Sequence, residues 1–278
     1  MKQTFLFRVV YEDSRIVAVD KSPGLPVGGD RWDESQERLD RLLAGTLQAP
    51  AGEIPDGRDA AGEVLAGKRA EGKARLFTVH RIDRDASGLV VFAKDRETHR
   101  ALSLAFQGRE VEKRYIAVVH GRPGWKETAC DLPLVPDGNK RHLTIVDRYR
   151  GKKSLTRFRL LGGAGNYSII EARPETGRTH QIRVHLASLG HPIVCDPFYG
   201  SEKPVFLSSF KPGWRGDPLD ERPLLQRLAL HAMELSLPGL PAQEEAEETL
   251  TLRAPLHRDM AALIKQMEKQ AGSGQFIS

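Results

Sequence analysis

Apolar and polar positions divide the chain into ordered stretches separated by polar, glycine-rich connections. Phe7-Arg8-Val9-Val10-Tyr11-Glu12 and Arg15-Ile16-Val17-Ala18-Val19-Asp20 are short β-branched runs split by Asp13-Ser14, and they predict two strands. Lys21 to Val27 holds two prolines and a glycine, which predicts a shaped loop. Leu39, Leu42, Leu43 and Leu47 fall at helical spacing and predict a helix within 32–47. Residues 49–73 are Gly, Ala and mixed charges with little to bury, as in a surface excursion. Leu89 to Ala93 reads as a buried strand, and Asp95 as the N-cap of a helix running to about Gln107. Tyr115–Val119, Leu155–Leu161 and Tyr167–Arg173 read as strands, the last two joined by a turn containing Gly162, Gly163 and Gly165. Ile182, Leu186 and Leu189 predict a helix over 179–189 that stops at Gly190. Strands over 228–237 and 249–252 and a helix over 259–270 follow, with the acidic run Glu244, Glu245, Glu247, Glu248 as a solvated loop. Strands outnumber helices and do not alternate regularly with them, so the predicted class is α+β rather than a doubly wound sheet.

Composition narrows this picture. With 278 residues, one elaborate domain or two intimate ones are expected. An apolar fraction of 40% and a charged fraction of 28% exclude a disordered, collagen-like or coiled-coil chain. No run approaches the length of a transmembrane helix, and charge interrupts the first apolar patch, so neither a span nor a signal peptide is expected. Cys130 and Cys195 lie far apart, which excludes a close-spaced redox pair or a Cys-rich zinc module. One disulfide stays open, but a reduced, cytoplasmic chain is the simpler expectation.

Charge is concentrated. The whole chain carries +5. Between residues 140 and 159, Lys140, Arg141, Arg148, Arg150, Lys152, Lys153, Arg157 and Arg159 face a single acid, Asp147, so this window alone is formally +7. Such a stretch suits a polyanion, since Lys and Arg on phosphates release condensed counterions. A solvated basic hairpin is the alternative.

Two segments are unusually polar. His80-Arg81-Ile82-Asp83-Arg84-Asp85-Ala86-Ser87-Gly88 directly precedes the apolar run at Leu89. Asp83 sits between Arg81 and Arg84; flanking guanidiniums favour the ionised carboxylate, which can act as nucleophile or base. A turn held by local salt bridges is the competing reading. In the second segment, Glu175 to His185, a glycine-containing loop enters a helix whose first turns carry Arg178, His180, Gln181 and Arg183, and a helix N-terminus suits phosphate. His180 and His185 are not spaced to share a helical face, and no His-Glu-x-x-His is present, so a zinc site is not expected. The kinase motif set, a Gly-x-Ser-x-Gly elbow and a phosphate-binding Gly-x-x-x-x-Gly-Lys loop are also missing.

Together these segments resemble the RluA-type RNA pseudouridine synthases. His80-Arg81-Ile82-Asp83-Arg84-Asp85-Ala86-Ser87-Gly88-Leu89 is similar to the family signature, with Ile82 for the usual Leu and Ala86 for the usual Thr. Gly177-Arg178-Thr179-His180-Gln181-Ile182-Arg183-Val184-His185, with Leu189-Gly190-His191-Pro192-Ile193 and Asp196-Pro197-Phe198-Tyr199-Gly200, resembles a later motif. Lys113-Arg114-Tyr115 resembles the Lys-x-Tyr motif, and residues 11–24 the opening strands and loop. The resemblance spans about 8–27 and 76–257.

The resemblance implies a single catalytic domain over 1–278. Its core is 8–27 and 76–257, with a variable insertion at 28–75, a C-terminal helix and tail at 258–278, and no S4 RNA-binding module before residue 8. It implies isomerisation of uridine to pseudouridine in ribosomal or transfer RNA. Asp83 would be the catalytic aspartate, either adding to C1′ or removing a 2′ proton. Arg183 would pair with it, and Tyr115 would stack on the base and take the C5 proton. The target base must be flipped out of its stack. Arg81 would help hold the extruded nucleotide, and His80 would orient the loop near RNA. Arg178, Lys152, Lys153 and Lys113 are further RNA-contact candidates. No cofactor, metal or membrane is implied, and a monomer is expected. A catalytically silent RNA-binding or ribosome-assembly factor, which needs no Asp83, is the alternative; a metal-dependent phosphohydrolase is a third class.

Overall fold

The computed structural model describes residues 6–28, 37–47, 75–141, 143–239, 249–272 and 276–277. In chain order the elements are β1 (Phe7–Glu12), β2 (Ile16–Lys21), α1 (Leu39–Thr46), β3 (Phe77–Thr78), β4 (Ser87–Ala93), α2 (Arg96–Gly108), β5 (Glu112–His120) and β6 (Glu127–Cys130). Then come β7 (Leu134–Val135), β8 (Ile145–Val146), β9 (Thr156–Ala164), β10 (Tyr167–Pro174), α3 (Gln181–Ser188), β11 (Leu230–Leu237), β12 (Leu250–Arg253) and α4 (Arg258–Ala271). The class is α+β, as predicted. The surface excursion, the start of the helix expected within 32–47 and the acidic run 244–248 lie outside the described residues.

Two compact units divide the chain, one from residues 1–111 and 234–254, the other from 112–233 and 255–278. In the first, β1 pairs antiparallel with β2, and β2 with β4, from Ile16 opposite Ala93 to Lys21 opposite Gly88. The Asp13 carboxylate closes the β1–β2 turn by accepting the amides of Arg15 and Ile16, both at 2.7 Å. Both β2 and β4 are buried along their whole length, which explains their near-continuous apolar runs. Asp95 caps α2 by accepting the Thr98 amide at 2.8 Å, and Thr98, Leu102 and Ala105 form its buried stripe. That stripe joins Ile16, Ala18, Leu89, Val91, Leu235 and Leu252 in one core cluster. Each large aliphatic side chain buried there contributes about 1.5–3 kcal/mol.

In the second unit β5, β10, β9 and β6 pair antiparallel in that order. Tyr115 lies opposite Ala172, and Ala172 opposite Phe158. Side chains alternate across such strands, so Tyr115, Ala172, Phe158 and Thr156 share one face while Arg114, Glu171, Arg173, Arg157 and Arg159 share the other. Helix α3 lies on the Tyr115 face, where its His185 and Gln181 bond Thr156. Gly162 is required by close approach: a Cβ there would stand 2.3 Å from the Phe276 ring. Among the described residues, no helix is long and apolar enough to cross a membrane.

Candidate active site

In the first unit the loop from His80 to Gly88 is clamped from several sides. His80 Nε2 accepts the Val91 amide at 3.0 Å, and its ring stacks on Phe106 with centroids 4.8 Å apart. That acceptor role puts the proton of the neutral ring on Nδ1. Lys21 is fully buried, and its ammonium donates to the carbonyls of Ser22 (2.8 Å), Arg84 (2.9 Å) and Ala86 (2.7 Å). A buried ammonium is tolerated only when its protons are bonded, so this lysine ties the loop to the end of β2. The Pro-Gly loop adds a second tie, since Gly24 N donates to Arg84 O at 2.9 Å and Arg84 Nε returns to Gly24 O at 3.0 Å. Gly88 enters β4 at φ +108°, a conformation side chains rarely adopt. Asp83 is half-buried and Arg81 exposed at the turn, where the Ala86 amide bonds Asp83 O at 3.2 Å. Two carbonyls of the turn are thus gathered on Lys21, an arrangement the local sequence did not suggest.

In the second unit Tyr115 is buried near the start of β5, on the face that carries α3. Lys113, two residues earlier, falls on the same face by alternation and is half-buried. Arg183, on α3, is 1% exposed and bonds Asp196, itself 0% exposed, through Nε to Oδ2 at 2.8 Å and Nη2 to Oδ1 at 2.7 Å. Asp196 Oδ1 also accepts the amides of Phe198 (2.9 Å) and Tyr199 (3.2 Å). The rings of Phe198 and Tyr199 lie 5.0 and 5.2 Å from the Arg183 guanidinium carbon. Tyr199 accepts the Thr144 amide at 3.0 Å and meets His180 Nδ1 at 2.9 Å. Burial raises the Tyr199 pKa, which keeps its hydroxyl protonated.

A directional chain of bonds fixes the loop that leads into α3. Thr176 Oγ1 donates to Gln181 Oε1 at 2.6 Å, and Gln181 Nε2 donates to Thr156 Oγ1 at 2.9 Å. Thr156 Oγ1 meets His185 Nδ1 at 3.0 Å, and His185 Nε2 meets the Leu132 carbonyl at 3.0 Å. The carbonyl can only accept, so Nε2 carries the proton and Nδ1 accepts. His185 is fully buried, and burial lowers its pKa. His180 stands at the N-cap with φ +53°, so α3 begins at Gln181, two residues after the predicted start at 179.

The remaining RNA-contact candidates are exposed. Lys152 pairs with Leu134 through both backbone groups, and Arg178 Nε donates to Lys153 O at 3.1 Å, so Arg178 and Lys153 are neighbours. The basic window is not one surface. Arg150 is bonded to Asp147 at 2.7 Å, Arg157 to Glu175 at 2.7 Å and Arg159 to Glu171 at 3.0 Å. Two of these carboxylates come from β10 and its following loop, outside the window whose charge was counted. Sequence reasoning also gave no role to Lys21 or Asp196, although both lie within motif segments; their burial is the tertiary fact that reveals them.

Comparison with known proteins accords with this arrangement. The family model for RNA pseudouridylate synthase matches residues 15–188. Ribosomal large subunit pseudouridine synthase D of Zymomonas mobilis is 32% identical over 95% of this chain and 74% of its own length. An uncharacterized RNA pseudouridine synthase of the same organism is 34% identical over 90% of this chain and 93% of its own. In fold, the chain is similar to human RNA pseudouridylate synthase domain containing 4, with a TM-score of 0.62 at 22% identity over 93% of this chain and 92% of that one. The chain belongs to the RNA pseudouridine synthase family, whose members are isomerases.

Proposed function

We propose that this protein isomerises uridine to pseudouridine in ribosomal RNA of the large subunit, with Asp83 as the catalytic carboxylate. The observation that carries the catalytic assignment is the loop from His80 to Gly88, which bears the family signature and whose turn carbonyls are fastened to the buried Lys21 ammonium. Rigid attachment is what a carboxylate aligned against one sugar carbon needs. The ribosomal target is supported by relatives named for the large subunit, among them that of Zymomonas mobilis and a 30% identical one of Neisseria meningitidis.

In this reading the C1′–N1 bond of uridine breaks, the uracil turns within the pocket, and C1′ bonds to C5. The hydrogen leaving C5 is replaced by one gained at N1, so atoms balance without a co-reactant. Asp83 either adds to C1′ or removes the 2′ proton. Arg183, oriented by Asp196, supplies the fixed positive charge the carboxylate requires, and Tyr115 stacks on the base and takes the C5 proton. Arg81 and His80 border the flipped nucleotide, while Lys113, Arg178, Lys152 and Lys153 contact backbone phosphates.

The test uses RNA from a strain lacking the protein, incubated with wild type or Asp83→Ala, with pseudouridine mapped at nucleotide resolution. The expected result is one or a few new sites in large-subunit RNA with wild type and none with the variant. Identical maps for the two proteins overturn the catalytic assignment. New sites confined to transfer RNA overturn the target.

A further inference from the structure

We propose that the face of the second unit opposite Tyr115 carries a second binding site for RNA backbone phosphates, centred on Arg157 and Arg173; this rests on the reading that the protein acts on RNA. Strand alternation puts Arg114, Arg157, Arg159 and Arg173 on that face, away from Tyr115 and α3. Beneath them Glu171, 3% exposed, accepts Arg114 Nε at 2.6 Å, Arg173 Nε at 2.9 Å and Arg159 Nη2 at 3.0 Å. Burial pushes the Glu171 pKa up, but the three guanidinium hydrogen bonds outweigh it and hold the pKa near 2. The carboxylate is thus a permanent anchor for three cations.

The geometry favours an extended polyanion. A shallow groove of about 510 Å³ is lined by Glu127, Ala129, Arg157, Arg159, Glu171 and Arg173. The negative charge of Glu171 is at its base, whereas the side chains of Arg157, Arg159 and Arg173 are 65%, 49% and 50% exposed. Arg157 and Arg159 stand two residues apart on β9, about 6.8 Å along the strand, and Arg173 lies directly opposite Arg157. A row of planar guanidiniums already oriented by carboxylates, Arg159 and Arg173 by Glu171 and Arg157 by Glu175 at 2.7 Å, matches phosphate oxygens, with less side-chain freedom left to lose on binding. Glu127 sits opposite Arg159 on the edge strand, while uncharged Ala129 sits opposite Arg157. The route for a polyanion therefore runs past Arg157 and Arg173. Because this face is turned away from Tyr115, its ligand is RNA remote from the reacting uridine, such as a flanking helix of a large folded substrate.

The test compares full-length protein with the Arg157→Gln/Arg173→Gln variant. Binding of a large-subunit ribosomal RNA transcript is measured as a function of salt, and turnover is measured on a short hairpin around a mapped target uridine. We expect transcript affinity to fall on the order of tenfold and the slope of log affinity against log salt to flatten by about one to two units. Hairpin turnover stays at the wild-type value. Unchanged affinity and slope overturn the proposal, and so does an equal loss of turnover on the hairpin, which would make these arginines part of the active site or the fold. If the double variant melts early, Arg157→Gln alone, the most exposed position, repeats the measurement with an expected flattening of about one unit. Failure of wild type to modify any ribosomal uridine sinks the proposed function instead, while the salt titration still decides this site.

Discussion

Arg183 and Asp196 form a two-point ion pair with almost no solvent exposure, and the backbone amides of Phe198 and Tyr199 converge on the same carboxylate. The sequence motif at 196–200 is thus a structural clamp for the arginine on α3. Removing one member of such a pair strands the other charge out of water, which costs far more than the pair itself contributes. Asp196→Asn keeps the shape and removes the charge. We expect it to lower unfolding free energy by about 3–5 kcal/mol in urea titrations. Pseudouridine formation should fall more steeply than RNA affinity. A variant within about 0.5 kcal/mol of wild type would show that the clamp does not hold the arginine.

Lys21 makes a related case on the other unit. Its ammonium gathers three carbonyls, two of them from the turn that carries Asp83. Lys21→Met retains the aliphatic stem and removes the donors. Each lost bond costs about 1 kcal/mol, partly offset because no charge is now buried, so a net loss of about 1–3 kcal/mol is expected. The sharper readout is kinetic. The turn at Asp83 loosens, so kcat should fall at least several-fold with a smaller change in KM. A loss confined to KM would argue that the lysine serves RNA binding instead.

Much of this framework was legible from residue order, and the exceptions share a cause. The continuous apolar run of β4 and the Asp95 cap are local signals, and both elements stand where the pattern predicts. Strands β6, β7 and β8 are two to four residues long, too short for alternation to register. The predicted start of α3 is offset because His180 takes a left-handed conformation that no spacing rule anticipates. The roles of Lys21 and Asp196 are tertiary. A lysine in a polar loop reads as solvated until two of its acceptors, more than sixty residues away, are known. The +7 window was misleading for the same reason, since Glu171 and Glu175 reach it from neighbouring structure.

His185 gives the protein a mild acid sensitivity. Burial lowers its folded pKa below the ordinary 6.5, so the folded state favours the neutral ring that the Thr156 and Leu132 bonds require. The unfolded chain takes up the proton first as pH falls. Its contribution is therefore complete above pH 6.5 and lost progressively as pH falls toward the folded value. His120, also lowered by burial, acts in the same direction. Unfolding free energy should therefore decline between pH 7.5 and 5.5. His185→Gln should be less stable at pH 7.5 yet show a shallower decline over this range. An equal slope in both proteins would exclude His185 as the titrating group.

Glu171 acts in a lower window. Its folded pKa is held near 2 against an ordinary 4.5. A depressed carboxylate contributes stability that is fully present above its unfolded value and lost as pH falls through the folded one, here from about 4.5 to about 2. Neutralising it by mutation should mimic that loss at any pH. Glu171→Gln leaves Arg114, Arg159 and Arg173 facing one another without the charge that gathers them, so we expect a loss of about 3 kcal/mol at pH 7. The difference between variant and wild type should shrink as pH drops below 4, because the wild type then loses the same charge. Salt supplies an independent check. Added chloride screens the repulsion among the three arginines, so the variant should recover part of its deficit at 1 M salt. A deficit that is constant with both pH and salt would mean that packing around the side chain, and not its charge, holds this arginine cluster together.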